Sequence, residues 1–336
     1  MIITKTPFRM SFFGGGTDMA EFYEQYGGSV LSTTFDKYCY VTARHLPPFF
    51  EYSSEFSYAN IERVKTVDDI EHPLIRNLMK FKDMHEIRLS YEADLPARTG
   101  LGTSSSFAVG MLNAFYGLKG KRVDKRRLAD EAIYVERVLC REAGGIQDQI
   151  AAAFGGLNRI DMDKNGYKVT PLIISNQRKK EFNDNLMLFF TGFSRFSSEI
   201  QKETEKNIAN KIKNLIEMKA LVDQSEEILT SKGDLNEFGK LLDYTWNLKR
   251  GISDAVSTDS IDRIYQRAMK AGATGGKLLG AGGGGFLLFY VERDKQERVL
   301  NELEDLLYVP FLFENEGTQV IYFKAEDYDV PEKYLK

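Results

Sequence analysis

The sequence predicts two domains, each mixing strands with helices. Three observations predict this. The first half opens on long β-branched and aromatic runs, GSVLSTTFDKYCYVTA (28–43) and EIRLSYE (86–92), which read as strands. The second half opens on another such run, LMLFFTG (186–192), and closes on FLLFYV and TQVIYFKA (318–325). Between the halves the composition shifts at SNQRKKEFNDN (175–185), so the expected domains are residues 1–180 and 181–336. A chain of 336 residues is long enough for two.

After the first strands comes a less regular stretch from Pro47 to Lys82. A helix is expected over 104–118, where Phe107, Met111 and Phe115 recur every fourth residue. A second is expected over 124–143, capped by Asp124 and stopped by Gly144–Gly145. In the second half, helical patterns run near 196–231, 234–250 and 258–272, with a short one at 294–307. The many Lys and Glu residues of 196–231 read as a solvated face. No tandem repeat or low-complexity tract interrupts the chain.

Composition narrows the function. The chain is 43% hydrophobic and 28% charged, as in a globular protein, with a formal charge of −4 and a pI near 5.7. That balance argues against general nucleic-acid binding, which needs net positive surface. No run is long and apolar enough for a membrane span, and MIITKTPFRMSFF has no signal-peptide pattern. Cys39 and Cys140 form no CxxC pair, so a reduced, cytoplasmic protein is expected. The three histidines, at 45, 72 and 85, lack metal-ligand spacing.

Three glycine-rich segments carry the chemistry: 14–16, 100–106 and 280–285. Gly280, Gly282 and Gly285 match G-x-G-x-x-G, but a helix is expected before them and a strand after, the reverse of a dinucleotide fingerprint. Two readings stay open there: a tight turn packed on another backbone, or a loop facing substrate. In GLGTSSSFAV, glycines lead into hydroxyl residues as a helix begins. Free N–H groups and the positive end of the helix dipole then converge where an anion is favoured. A plain N-cap would need one hydroxyl, whereas Thr103, Ser104, Ser105 and Ser106 supply four. No GK[ST] follows, so this is not a Walker A loop.

On the helix expected over 124–143, Leu128, Ala132, Val135 and Leu139 share one arc at about 100° per residue. Glu136 projects within that apolar arc, while Arg137, Asp130 and Arg141 fall opposite. A core-directed carboxylate needs a partner. A buried arginine such as Arg9 or Arg98 is one reading, and a magnesium ion the other. Asp148 follows twelve residues later, in the first turn of a new helix. An anion cradle, a metal carboxylate and a second carboxylate are the parts that phosphoryl transfer uses.

These segments resemble the GHMP kinases, which include galactokinase, homoserine kinase and mevalonate kinase. TPFRMSFFGGGTD is similar to their N-terminal motif, PARTGLGTSSSFA to the central phosphate-binding motif and KLLGAGGGGFLLF to the C-terminal one, in the family's order. The resemblance implies a two-domain α+β fold. Its N-terminal domain would carry a left-handed β-α-β unit, against the usual handedness, and its C-terminal domain would be ferredoxin-like. It implies ATP phosphates on Gly100, Leu101, Gly102, Thr103, Ser104, Ser105 and Ser106. It implies Mg²⁺ on Ser104 and Glu136, Asp148 as catalytic base, and Arg9 beside the γ-phosphate.

The run SFFGGGTDMAEFYEQYGGSVLSTTFDKYCYVTA is similar to the branch that phosphorylates the anomeric hydroxyl of D-glycero-D-manno-heptose 7-phosphate, toward GDP-heptose and surface polysaccharide. Fucokinase-type members are the nearest alternative. Galactokinase carries Glu-His where this chain has Gly15–Gly16. Gly15, Gly16, Thr17 and Asp18 are then expected on the acceptor side, where glycine lets a sugar lie close to backbone and Asp18 can bond vicinal hydroxyls. The other reading is a strand-ending turn with Asp18 as a local cap. Gly283 of the last glycine run is expected near substrate too. A phosphorylated acceptor needs a second basic site, for which Arg195 and Lys277 are favoured over Arg44, His45, Arg98, Lys249 and Arg250. ATP, Mg²⁺ and a sugar phosphate are thus the expected ligands, with a homodimer as a further expectation.

Overall fold

The β-branched runs of the first half form one large sheet, and those of the second half a smaller one. The protein is described from a computed structural model covering residues 1–192, 197–251 and 256–325, with 197–211 as backbone alone. The first unit runs β1 (Ile2–Phe13), α1 (Ala20–Tyr26), β2 (Gly28–His45), β3 (Ser54–Ser57), β4 (Ile61–Val64), α2 (Pro73–Phe81), β5 (Ile87–Ala93), α3 (Thr103–Leu118), α4 (Lys125–Ile133), α5 (Gln147–Phe154), β6 (Asn158–Asp163), β7 (Gly166–Pro171) and α6 (Asn176–Asp184). The second runs β8 (Leu186–Phe190), α7 (Ser197–Thr230), α8 (Asn236–Arg250), α9 (Asp259–Ala271), β9 (Gly275–Leu278), β10 (Phe286–Tyr290), α10 (Gln296–Glu302) and β11 (Leu307–Tyr308). Two last strands follow, β12 (Phe313–Glu314) and β13 (Gln319–Phe323).

The long strand β2 organises the large sheet. It pairs with β1 along most of its length, with β6 through Gly28–Ser32 and with β5 through Cys39–His45. The path continues to β3, which lies parallel to β5, and to β4. The second sheet has the order β11-β8-β10-β9 with antiparallel neighbours, the split β-α-β-β-α-β arrangement of ferredoxin-like folds.

The C-terminal strands leave the second unit. The run expected at 318–325 forms β13, which pairs with β1 through Ile2–Lys5, and β12 pairs with β2. A division at 180/181 therefore puts residues 313–323 in the second half of the sequence but in the first sheet. β13 covers what would otherwise be an open edge of β1.

β1 positions the site. Its burial alternates at first and becomes complete from Thr6 onward. Ser106 Oγ donates to the Pro7 carbonyl from the α3 side, while Phe8, Met10, Phe12 and Phe13 join a core shared with the second unit. In that core Phe12, Phe182 and Phe238 meet with centroids 4.6–5.5 Å apart.

The helix expected over 124–143 does not run that far. Asp124 does cap it, accepting from the Arg127 N–H at 2.8 Å. After Ile133 the chain widens into a π-helical turn, Tyr134–Leu139, and is non-helical until α5. Glu136 still points inward and is fully buried. Arg137 does not fall on the outer face, because a wider turn changes the angular step on which that placement rested.

Candidate active site

Arg9, Asp148 and the loop before α3 meet at one point. Arg9 is 5% exposed on β1. Its Nε and Nη2 donate to the two oxygens of Asp148 at 2.7 and 2.8 Å, and its Nη1 to the Gly100 carbonyl at 2.6 Å. Such a bidentate pair fixes the carboxylate's plane. The Arg9 backbone N–H donates to the Leu101 carbonyl, so the loop before α3 is tied to β1 twice. Two of the five guanidinium N–H donors remain.

The hydroxyl run divides. Ser104 is exposed and donates to Glu136 Oε1 at 2.9 Å. Ser105, buried, donates to Glu136 Oε2 at 2.7 Å, and the Gln149 amide donates to the same oxygen. Ser106 is turned inward to the Pro7 carbonyl, and the Leu101 side chain is in the core. The expectation that all four hydroxyls face a phosphate is corrected for Ser105 and Ser106, which stitch the helix to its neighbours. What Thr103, Ser104 and Ser105 present at the start of α3 is their backbone N–H groups, which have no intrahelical acceptor.

Glu136 is not paired with Arg9. Its donors are two hydroxyls and an amide. The Glu136 carboxylate beside the Ser104 hydroxyl oxygen fits Mg²⁺, which favours hard oxygen ligands and takes one or two carboxylates, with phosphate and water completing its shell. Among the described residues no group of three or more His, Cys, Asp and Glu gathers to cage an ion without that help.

A cavity opens beside this cluster, lined by Arg9, Ser11, Gly15, Gly16, Asp18, Met19, Arg137, Gly145, Gln147, Asp148, Lys249, Val256, Lys277, Gly280 and Ala281. Asp18 is 3% exposed; its Oδ1 accepts from the Gly16 N–H at 2.9 Å and its Oδ2 from the Gln147 N–H at 3.3 Å. It therefore both closes the local turn and holds the start of α5. Burial, with Asp148 nearby, holds its carboxyl above the usual value. Thr17 does not line the cavity. Its buried hydroxyl donates to the Gly14 and Ser29 carbonyls, so its role is in the turn.

The last glycine run lies between β9 and β10, so a strand, not the expected helix, precedes it. It is nonetheless packed on backbone. A Cβ on Gly280 would lie 2.2 Å from Gly100 Cα, so the two loops touch where only glycine fits. Gly283 donates its N–H to the Val256 carbonyl and does not line the cavity, which corrects its expected substrate contact.

Two lysines complete the wall. Lys277, 3% exposed on β9, donates to the Phe12 carbonyl at 2.7 Å. Burial, then Lys249 and Arg9, push its ammonium well below the ordinary lysine value. Lys249 on α8 donates to the Gly280 carbonyl; burial and Arg9 bring it down to about 8, against the opposing pull of Asp18. Arg250 pairs with Asp262 instead, and Arg44, His45 and Arg98 do not line the cavity. Arg195 lies outside the described residues.

Sequence reasoning missed Arg137, Ser11, Gln147 and Gln149. Arg137 Nη1 donates to the Glu142 and Ala143 carbonyls at 2.9 and 2.6 Å and so braces the loop into α5. Ser11 Oγ and Gln147 Oε1 are buried in the wall without a partner. The signal for the glutamines was present in QDQ around Asp148, where two amides flank a carboxylate.

The chain matches the family described as GHMP kinases N terminal domain over residues 70–156 and that described as GHMP kinases C terminal over 219–309. It is 30% identical to D-glycero-alpha-D-manno-heptose 7-phosphate kinase of Campylobacter jejuni over 335 residues, 95% of this chain and 98% of that one. It is also 30% identical to L-fucokinase/L-fucose-1-P guanylyltransferase of Bacteroides fragilis, over 63% of this chain and 23% of that one. The crystal structure of a D-glycero-D-manno-heptose 1-phosphate kinase from Bacteroides thetaiotaomicron superimposes with a TM-score of 0.79 at 25% identity, covering 97% of this chain and 100% of that one. Two of the three glycine-rich segments line the cavity, and the third reaches its wall where Gly100 meets Arg9 and Gly280. On the matches above, the chain belongs to the GHMP kinase family of ATP-dependent phosphotransferases.

Proposed function

We propose that this kinase transfers the γ-phosphoryl group of ATP to the anomeric hydroxyl of D-glycero-D-manno-heptose 7-phosphate, giving the 1,7-bisphosphate. The observation that carries the reading is the Arg9–Asp148 pair in the wall of a cavity shared with Asp18 and two buried lysines. It is supported by similarity to the heptose 7-phosphate kinase along nearly the whole of both chains.

Each residue has a role in this reading. Asp148 accepts the proton of the C1 hydroxyl as that oxygen attacks the γ-phosphorus, whose bond to the β,γ-bridging oxygen breaks to release ADP. Arg9 holds Asp148 in plane and turns its remaining N–H groups toward the transferring phosphoryl. The loop Gly100–Gly102 and the N–H groups of Thr103, Ser104 and Ser105 hold the ATP phosphates. Ser104 and Glu136 would hold Mg²⁺, which neutralises charge on those phosphates. Gly15, Gly16 and Asp18 face the sugar, Asp18 accepting from its hydroxyls. The product would feed GDP-heptose and surface polysaccharide synthesis, in the cytoplasm.

Asp148→Asn tests the centre. A positioned base contributes about 10²–10⁴ in rate, so kcat should fall by at least about 10², measured at a temperature where circular dichroism shows the variant folded, since Arg9 loses its charged partner. Near-normal turnover would remove Asp148 from the chemistry. An ADP-release screen across heptose 7-phosphate, unphosphorylated heptose, L-fucose, galactose and mannose then identifies the acceptor. Preference for L-fucose, the reading that the Bacteroides fragilis relative favours, would overturn the heptose assignment and leave the kinase intact.

A further inference from the structure

The cavity's charges do not balance. Four cations line it, Arg9, Arg137, Lys249 and Lys277, against two carboxylates, Asp18 and Asp148. Arg9 and Asp148 are spent on each other, and Arg137 is turned by Nη1 to two carbonyls. Each lysine gives one of its three N–H donors to a backbone carbonyl, and neither forms a carboxylate ion pair among the described residues. Two neighbouring amines in a low-dielectric wall both carry charge only at a cost unless an anion joins them.

We propose that Lys249 and Lys277 form the subsite for the acceptor's own phosphate group. The inference rests on the sugar-phosphate kinase reading above. It divides the labour between the two units: the first supplies the base, Mg²⁺ ligands and phosphate loop, and the second reaches across with both lysines. Lys277 ends on the carbonyl of Phe12, two residues before Gly14–Gly16, which puts it on the acceptor side of the cavity. Ser11 on the same strand adds a buried hydroxyl with no partner, a further donor for a phosphate oxygen. A dianionic phosphate matches the two positive charges and draws protons onto both amines. An unphosphorylated sugar leaves them facing each other, so the pair selects against it.

The ATP phosphates could present the same chemistry, and the test separates the two sources. Steady-state kinetics of Lys249→Met and Lys277→Met are compared with wild type on heptose 7-phosphate and on unphosphorylated heptose, with the KM for ATP measured alongside. Losing one charge-assisted bond should raise the KM for the sugar phosphate about ten- to hundredfold. The loss in kcat/KM on the unphosphorylated sugar should be about tenfold smaller or less. Equal losses on both sugars, or a loss carried by the KM for ATP, overturn the proposal and assign the lysines to the transferred phosphoryl. If Lys277→Met does not fold, Lys277→Arg, which keeps the charge, should retain the preference for the phosphorylated sugar; loss of that preference counts against the subsite.

A second arm does not depend on which sugar is the substrate. Inorganic phosphate is titrated calorimetrically into enzyme saturated with Mg²⁺ and a non-hydrolysable ATP analogue. Wild type should bind it and Lys249→Met should not. No binding by wild type, or equal binding by both, overturns the lysine site. Turnover of neither heptose with intact phosphate binding would instead count against the substrate assignment alone.

Discussion

Glu136 has no exposed surface and accepts from two hydroxyls and an amide, with no cationic side chain paired to it among the described residues. Glu136→Gln retains one acceptor oxygen but not the negative charge. Changing residues that merely support a metal ligand costs about 10–100-fold in metal affinity, so the Mg²⁺ concentration for half-maximal activity should rise at least about tenfold. An unchanged Mg²⁺ titration would make Glu136 a purely structural anchor. Lys249 gives a pH dependence. The charged groups near it are Arg9, Lys277 and Asp18, and burial with Arg9 sets its loss of a proton near 8. Below that pH the ammonium is present in the free enzyme; above it the amine is neutral. The KM for the sugar phosphate should therefore climb as pH rises through 8, and the climb should be absent in Lys249→Met. Both residues stand in the sequence as ordinary charges. Glu136 was readable because a helical period put it among apolar neighbours, whereas nothing local distinguishes Lys249 from Arg250.

Among the elements, α3 follows the sequence to within a residue, because its fourfold spacing and glycine entry are local properties. The segment 134–146 does not. A π-helical turn depends on what packs around it, and here it delivers Glu136 to α3 and Arg137 to the cavity wall. Arg137 braces the carbonyls of Glu142 and Ala143 just before α5 presents Asp148. Arg137→Ala leaves both carbonyls without that donor and should cost about 1–3 kcal/mol in urea unfolding. If Arg137 positions the base, kcat should fall while the KM for ATP holds, and Arg137→Lys should restore part of it. A stability loss with normal kcat would leave it a structural brace only.

At the scale of the whole molecule, the site exists because two sheets share a core. The rings of Phe12, Phe182 and Phe238 fasten β1 to α6 and α8, and the contact of Gly100 with Gly280 fastens the loop proposed to hold phosphate to the second unit. Gly280→Ala sets a methyl 2.2 Å from Gly100 Cα at a backbone φ of +74°, so one loop must move. Overpacking of this kind costs about 1–3 kcal/mol. The thermal melt should drop accordingly, and the KM for ATP should rise as the loop shifts. A lowered melt with an unchanged KM for ATP would show that the contact holds the units together without setting the phosphate loop. Among the described residues no helix is long and apolar enough to cross a membrane.

The sequence by itself determined the family and the order of most elements, and it singled out Arg9, Ser104, Glu136 and Asp148 as candidates, because glycine turns, helix periods and motif spacing are written within a few residues of one another. Only the tertiary structure decided that Ser105, Ser106 and Thr17 turn inward, that β13 closes the first sheet, and that Lys249 and Lys277 face one cavity. Those outcomes depend on contacts between segments as far apart as Phe12 and Lys277, and no local pattern encodes which long-range partner a hydroxyl or an ammonium will meet.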